Sequence, residues 1–304
     1  GELSFVGADI VYDARLVNSG KDAAHPEAKV DIDVVEAADA GHGPTLPRLA
    51  KARANGNNTG EMTDWNATAV RDLILEAGRI ALHHFEDPET EHKADNSLVT
   101  QADRDVEAYL RSHLEDLDRR VLFLGEESVG ANGPGFVKKA LSNVTWIVDP
   151  IDGTAPYANG LPTWGVSIGY MVSGRIEHGA ILIPRSGELF ITEGDSVLYQ
   201  QGSRNADSWR FDDLKPLALP DRGYDTRGMV SLPQEIKSIG RFTGRNPIQS
   251  NGSAVYSAAK LMGGSYLAYL ARVRLWDFAA AMAMFPRLGI RAVLRNGREL
   301  SRHV

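Results

Sequence analysis

The stretch that decides the fold is Trp146–Thr154, Trp-Ile-Val-Asp-Pro-Ile-Asp-Gly-Thr, in which an apolar run ends in two aspartates. Pro150 stiffens the turn between them, so both carboxylates can point into one small volume. Two like charges that close together need a cation, and oxygen donors with no histidine or cysteine nearby favour Mg²⁺, Mn²⁺ or Ca²⁺ over Zn²⁺. Taken alone, however, the spacing of Asp149 and Asp152 is more typical of an ordinary acidic turn that caps a helix.

The residues that follow this turn are suited to an anion. Gly153 and Thr154 come directly after the second aspartate. If a helix or turn begins there, their backbone N–H groups have no intrahelical acceptor and can face an anion that the cations hold. The pattern therefore predicts a phosphate-binding turn beside a cation site.

Three other segments place charged residues where the chain turns. Glu126 and Glu127 lie at the exit of a buried strand, and Asp277 precedes an apolar helix. The segment Lys93–Asp103 supplies a lysine and further carboxylates before another helix. Each has an ordinary explanation, because exposed loops are often acidic and aspartate is a favoured helix N-cap. Only together do they favour a metal centre.

Composition limits the class of protein. The chain has 304 residues, is 43% hydrophobic, contains no cysteine and carries a net charge of −7. This length can bury a real core, and the lack of cysteine excludes disulfides and thiolate metal sites. The negative charge argues against nucleic acid as a partner, and no apolar run is long enough for a membrane helix. We therefore expect a soluble, cytoplasmic protein.

The spacing of hydrophobic residues indicates a mixed chain of the α+β class. Helical periodicity begins soon after Met62 and returns at Gln101–Leu117. Strand-like runs separated by turn residues fill Gly165–Leu198, which predicts an antiparallel meander. Further helices are predicted at Ser253–Met262 and Phe278–Leu288.

Taken together and in order, these segments resemble the inositol monophosphatase family of lithium-sensitive, Mg²⁺-dependent phosphatases. Trp146–Thr154 and Leu275–Ala280 are similar to the two signature regions of the family, and the resemblance extends from about residue 64 to about residue 300. It implies a layered αβαβα sandwich of the sugar-phosphatase type and a homodimer. It also implies two or three Mg²⁺ ions per site, with Mn²⁺ as an alternative.

The same resemblance assigns roles to single residues. The metal ligands that it implies are Glu126, Asp149, Ile151 through its carbonyl, Asp152 and Asp277. The residues that it places at the attacking water are Asp103, Thr154 and Glu126. The phosphate and substrate contacts that it implies are Gly153, Thr154, Lys93, Ser253 and Asp277. Two cations in such a site neutralise charge on the attacking and leaving oxygens of an in-line displacement.

The sequence departs from the family pattern at a position that determines the substrate. Inositol-selective members carry a glutamate seven residues before the last metal aspartate, and here that residue is Leu270. Loss of such an acceptor removes binding of about 1 to 3 kcal/mol. Arg272 and Arg274 could instead bind a second phosphate or a carboxylate, although arginines on an exposed strand are more often solvated charges. Trp164 resembles an aromatic residue of histidinol-phosphate phosphatases, although a position in the core is the more common role for tryptophan.

The two ends of the chain are predicted to be unusual. Residues 1–61 differ in composition and are expected to be an appended segment of unknown role, before a phosphatase domain at 62–304. This domain divides into an α+β part to about residue 200 and an α/β part from about residue 201. The family usually continues beyond the point that Leu300 matches, so the C-terminal end is expected to be short. Either that piece is absent or residues 1–61 occupy part of its place.

The expected function is hydrolysis of inositol 1-phosphate or a related small sugar or polyol phosphate. The alternatives within the superfamily are histidinol phosphate, fructose 1,6-bisphosphate and 3′-phosphoadenosine 5′-phosphate. A rival from another class is a catalytically silent, metal-binding or regulatory protein, against which the retention of all the implied ligands argues. The expected partner is a small phosphorylated metabolite, with no nucleic acid and no membrane.

Overall fold

A computed structural model gives the fold of the chain. It describes residues 12–13, 34–37, 65–92, 98–117, 119–132, 134–205, 208–211, 213–219, 228–234, 245–294 and 299–304. Lys93, which was predicted to contact the substrate, lies outside the described residues. The described helices are α1 (Ala67–His84), α2 (Gln101–Leu117), α3 (Pro134–Leu141), α4 (Thr154–Ala158), α5 (Ala254–Met262) and α6 (Leu275–Leu288). Within this part of the chain, every helix is too short or too polar to cross a membrane.

The described strands are numbered in chain order. The first nine are β1 (Tyr12–Asp13), β2 (Val34–Ala37), β3 (Thr90–His92), β4 (Leu98–Thr100), β5 (Leu122–Gly125), β6 (Val144–Asp152), β7 (Gly165–Val172), β8 (Arg175–Ile183) and β9 (Glu188–Glu193). The others are β10 (Ser196–Gln201), β11 (Ser203–Asn205), β12 (Ser208–Arg210), β13 (Lys215–Pro216), β14 (Met229–Ser231), β15 (Ile248–Gln249), β16 (Tyr266–Leu270), β17 (Arg272–Val273) and β18 (Ile290–Ala292).

The larger sheet has seven strands in the order β13-β10-β9-β8-β7-β6-β5. Strands β7 to β10 run antiparallel to their neighbours, which confirms the meander predicted for Gly165–Leu198. Strands β5 and β6 are parallel, and Gly125 pairs with Val148. Because parallel strands end at the same edge of a sheet, Glu126 emerges from β5 close to where Asp149 follows Val148 on β6.

Helices cover both faces of this sheet. Helices α1 and α2 pack on one face through a core that includes Ile74, Leu110 and Val148. Helices α5 and α6 pack on the other through a second core, to which β6 contributes Ile147. Ile147 and Val148 enter different cores because successive residues of a strand point to opposite faces. The smaller sheet joins this second core, for example through Tyr269. The predicted layered α+β architecture is confirmed.

Helix α6 lies against the larger sheet at two glycines. A Cβ atom on Gly179 would lie 2.6 Å from Ala280 Cα, and one on Gly169 would lie 2.7 Å from Ala279 Cβ. Any larger residue at either position would push the helix away from β7 and β8. These close approaches fix the position of α6 and therefore that of Asp277, in its first turn.

The smaller sheet has the strand order β15-β14-β16-β2-β18 and includes part of residues 1–61. Strand β2 runs antiparallel to both of its neighbours, with Val34 paired to Leu270 and Ala37 to Ile290. Strand β1 pairs with β17, which places Asp13 in register with Arg272. Two short strands from residues 1–61 thus pair with strands of the C-terminal part of the chain. The division of the chain into segment and domain stays a prediction.

Candidate metal centre

A bulge in β6 brings the two aspartates of Trp146–Thr154 to one side of the strand. Pairing with β7 is regular up to Asp149 and resumes at Asp152, with two residues of β6 opposite one of β7 between them. In a regular strand, residues three apart point to opposite faces. The extra residue of the bulge returns Asp152 to the face that Asp149 occupies. The chain thus forms the small shared volume that the sequence predicted.

Two buried carboxylates and one half-buried carboxylate meet in this volume. Asp149, Asp152 and Asp277 each offer one oxygen, and these oxygens lie within 4.8 Å of one another. Among the described residues, Asp149 Oδ1 has no hydrogen-bond partner. Burial, and then the charge of neighbouring carboxylates, raises the pKa of Asp149 and of Asp277 well above the ordinary range. Burial also raises the pKa of Asp152 to about 7.

This donor set fits a divalent cation. A buried carboxylate oxygen that has no hydrogen-bond donor and lies among other carboxylates destabilises the folded state unless a cation binds to it. The donors are all oxygens, which suits Mg²⁺, Mn²⁺ or Ca²⁺. The residues present therefore agree with the metal ions that the resemblance implies.

The start of helix α5 holds Asp152 in place. Ser253 Oγ and the Val255 backbone N–H both donate to Asp152 Oδ2, the second at 2.6 Å. Ser253 is also the N-cap of α5, and its Oγ accepts from the Tyr256 N–H at 2.9 Å. The Ser253 hydroxyl thus already accepts a hydrogen bond from the helix backbone and donates one to Asp152. Its predicted contact with substrate stays a prediction.

Asp277 is fixed by the first turn of helix α6. The helix begins at Leu275, three residues earlier than predicted, and its N-cap is Arg274. Asp277 Oδ2 accepts the Arg274 backbone N–H at 2.8 Å, which closes a capping box. Asp277 is therefore the third residue of the helix and not the N-cap that a sequence-based reading allows.

Asp103 and Thr154 form a pair beside the carboxylates. Asp103 Oδ2 accepts from the Thr100 N–H at 2.7 Å and from Thr100 Oγ1 at 2.5 Å. Thr154 Oγ1 lies 3.4 Å from Asp103 Oδ1 and 3.2 Å from the Ile151 carbonyl oxygen. Burial raises the pKa of Asp103 to about 7, and the charges of Glu127 and Glu126 act in the same direction.

Glu126 completes the acidic surroundings of the site. Its backbone N–H donates to the Val148 carbonyl at 3.2 Å, which ties the end of β5 to β6. Its charge contributes to the raised pKa of Asp149, Asp152 and Asp277. The structure thus gathers Glu126, the three aspartates and the Asp103–Thr154 pair in one place. Their individual roles stay predictions.

Sequence reasoning missed two residues that position this site. Glu107 accepts the Glu127 backbone N–H at 2.8 Å and so holds the turn that carries Glu126. Its position four residues after Asp103 on α2, on the same helix face, was a usable signal. Asn251 Oδ1 accepts the Ser253 N–H at 2.8 Å, and no pattern in the sequence marks it.

A cavity of about 130 Å³ opens beside Asp152 and Asp277. Leu270 is 1% exposed and belongs to the core, and Trp164 is completely buried against Tyr157. Neither is among the described residues that line the cavity. Trp164 therefore has the core position that the sequence favoured. A Leu270→Glu change would bury a carboxylate, so it would test stability before it tested specificity.

We expect Gly153→Ala to destabilise the metal turn more than Gly160→Ala does. Gly153 has φ of 93°, and its Cβ atom would lie 2.8 Å from Ser253 Cβ and 3.1 Å from the Thr163 oxygen. Gly160 has φ of 70° with open space around it. Gly160→Ala should therefore cost only the backbone strain of an alanine at positive φ, about 1 to 2 kcal/mol. Urea unfolding of the two variants measures the difference. Equal losses of stability would show that the contact with Ser253 is unimportant.

The fold and the site together define the class of protein. The chain is a layered α+β protein in which a strand bulge and a capped helix bring two buried carboxylates and a half-buried one into a cation-sized cluster. The sequence profile of the inositol monophosphatase family matches residues 62–299. The chain belongs to this family and is a phosphatase. The family is metal-dependent, in agreement with the carboxylate cluster.

Individual relatives agree with this assignment. Human inositol monophosphatase 1 is 28% identical over 198 residues, which cover 63% of this chain and 69% of the relative. A histidinol-phosphatase of Chlorobaculum parvum is 33% identical over 135 residues, 43% of this chain and 49% of the relative. A solved IMPase/NADP phosphatase, complexed with Mg²⁺ and phosphate, is similar in fold with a TM-score of 0.63. At 15% identity, over 78% of this chain and 86% of the other, this last likeness supports the fold alone.

Proposed function

We propose that this chain hydrolyses a small phosphate monoester with two or three Mg²⁺ ions, for which Mn²⁺ could substitute. The observation that carries the proposal is the buried Asp149 oxygen without a donor, inside the trio of carboxylates. This oxygen lies in a site that also contains Asp103, whose charge helps to raise the pKa of Asp149. A cation site next to a hydrogen-bonded Asp–Thr pair is suited to hydrolysis.

The metal ligands in this proposal are Glu126, Asp149, the Ile151 carbonyl, Asp152 and Asp277. When bound, the cations supply positive charge that binds phosphate oxygens and makes water a better nucleophile. The chain itself fixes the ligands. Ser253 and Val255 leave Oδ1 of Asp152 for this purpose, because both donate to Oδ2.

Thr154 and Asp103 would orient the attacking water. Thr154 Oγ1 donates to Asp103 Oδ1, so its lone pairs remain to accept a proton from water. The two bonds from Thr100 keep the Asp103 carboxylate from rotating. A proton can then pass through the threonine hydroxyl to Asp103 Oδ1. Backbone N–H groups of Gly153 and Thr154, at the start of α4, would contact the phosphate.

The substrate in this proposal is inositol 1-phosphate or a related small sugar or polyol phosphate. Histidinol phosphate, fructose 1,6-bisphosphate and 3′-phosphoadenosine 5′-phosphate remain the alternatives. With this function we propose inhibition by lithium, a cytoplasmic location and a homodimer. We propose neither nucleic acid nor a membrane as a partner, and the net charge of −7 disfavours nucleic acid.

The test is phosphate release from these four substrates with Mg²⁺, and again with EDTA. We expect release from at least one substrate, which EDTA abolishes and lithium inhibits. Release that is unaffected by EDTA would contradict the metal assignment. If the folded protein released no phosphate from any of them, the catalytically silent alternative would be favoured.

A further inference from the structure

The cavity beside Asp152 and Asp277 has walls of different chemistry. One wall carries the two carboxylates, which belong to the candidate metal centre. Apolar side chains follow at Leu232 and Val273. Arg272, on strand β17, brings a positive charge to the same cavity. A substrate held at the carboxylate side would therefore have its far end near a guanidinium group.

The charge of Arg272 is not used elsewhere in the described residues. Its side chain is exposed, and it has no ion pair or hydrogen bond with the side chains that the structure describes, which do not include that of Asp13. The arginine that acts on Asp277 is Arg274, through its backbone N–H and through its charge, which lowers the pKa of Asp277. The Arg274 guanidinium lies 5.6 Å from the centre of the Trp276 ring. Arg272 is therefore not needed to balance the metal ligands.

Two buried polar side chains of the cavity, Asn251 and Ser257, are poorly placed to bind substrate hydroxyls. Asn251 Nδ2 donates to Ser257 Oγ at 2.9 Å, and Asn251 Oδ1 accepts from the Ser253 N–H at 2.8 Å. Ser257 Oγ also donates to the Ser253 carbonyl at 2.8 Å. Side chains that already bond to one another offer a neutral polyol few partners. Gln234 also lines the cavity, but Arg272 is the only cationic side chain among the described residues of the lining.

We propose that Arg272 selects phosphate monoesters that carry a second anionic group, a phosphate or a carboxylate. The inference rests on the phosphatase function proposed above and specifies its substrate class. Arginine binds both groups through two parallel N–H donors. Hydrogen bonds to charged groups correspond to roughly a ten- to hundredfold change in affinity.

The test compares substrates with and without the second anion, using the full chain with Mg²⁺. Fructose 1,6-bisphosphate supplies a second phosphate, 3-phosphoglycerate supplies a carboxylate, and glycerol 2-phosphate supplies neither. We expect Arg272→Gln to lower kcat/KM roughly ten- to hundredfold for the anionic substrate that the enzyme prefers, with little change for glycerol 2-phosphate. Arg272→Lys should give an intermediate loss, because it keeps the charge but not the fork.

The matched control is Arg291→Gln. Arg291 is also an exposed arginine of the smaller-sheet region, but it lies on β18, pairs with Glu299 at 3.2 Å and is outside the cavity lining. It should change none of the three rates. Equal losses for all three substrates in Arg272→Gln, or no loss for any, would overturn the inference.

A failure of the proposed function gives a different result. The wild-type chain would then release phosphate from none of the three compounds. In that case, calorimetric binding of the same compounds in Ca²⁺ decides the inference separately. Tighter binding of an anionic compound than of glycerol 2-phosphate, lost in Arg272→Gln, would support it. No such preference would overturn it.

Discussion

Replacing Asp149 by asparagine should lower Mg²⁺-dependent phosphate release by roughly a thousandfold or more. Asp149 is 1% exposed and shares the cluster with Asp152 and Asp277. Water therefore cannot take the place of its carboxylate as a ligand. Asparagine removes one negative charge and replaces one ligand oxygen by an NH₂ group, which repels a cation. The measurement is kcat/KM for the best substrate of the panel, at saturating Mg²⁺.

The control for Asp149→Asn is Asp213→Asn. Asp213 is an exposed aspartate that pairs with Lys215 at 2.6 Å on the surface, so its loss should leave turnover unchanged. In EDTA, Asp149→Asn should unfold at the same temperature as wild type or higher, because it removes repulsion between buried carboxylates. Near-normal turnover of Asp149→Asn would refute the assignment of the metal centre.

The second large effect is a loss of stability of the metal-free protein as pH rises. Burial raises the pKa of Asp103 and of Asp152 to about 7, whereas an unfolded aspartate titrates near 3.8. Between these values the folded state keeps protons that the unfolded state has released. The raised pKa therefore penalises the folded state increasingly from about pH 4 to pH 7, on the order of several kcal/mol for the pair.

Cations should reverse this dependence on pH. They bind the deprotonated carboxylates, so the stabilisation by Mg²⁺ grows as pH rises. The measurement is thermal unfolding between pH 5 and pH 8, in EDTA and in Mg²⁺, with Asp149→Asn as a variant in which the gain from Mg²⁺ should be small. If stability in EDTA were constant or rose over this range, the carboxylates would not carry the raised pKa values described above.

The metal turn could be predicted from the sequence because most of its information is local. An apolar run, a proline and two aspartates lie within Trp146–Thr154, and the resemblance supplied Glu126 and Asp277. The bulge that turns Asp152 to the side of Asp149 could not be predicted, because it depends on the register with β7. The local sequence thus identified the two aspartates of the turn, and strand pairing determines the direction in which their side chains point.

Contacts between distant residues account for what the sequence left open. The resemblance implied Ser253 as a substrate contact, and it gave no sign of the bond from the Ser253 hydroxyl to Asp152, a hundred and one residues earlier. Leu270 was read as a change in the substrate site, yet the pairing of β16 with β2 places it in a buried sheet. Helix α6 begins early because Asp277 caps the Arg274 N–H, a detail of geometry that hydrophobic periodicity does not record.

Strand β2 also imposes an order on folding. It leaves the ribosome before β16 and β18, but it must lie between them, and more than two hundred residues separate it from either neighbour. Contacts of such long range form slowly, because a large loop must close before they stabilise anything. The smaller sheet can therefore close only after nearly all of the described chain has been synthesised. Until then, Val34–Ala37 lacks both of its strand partners, and unpaired strand edges of this kind promote aggregation.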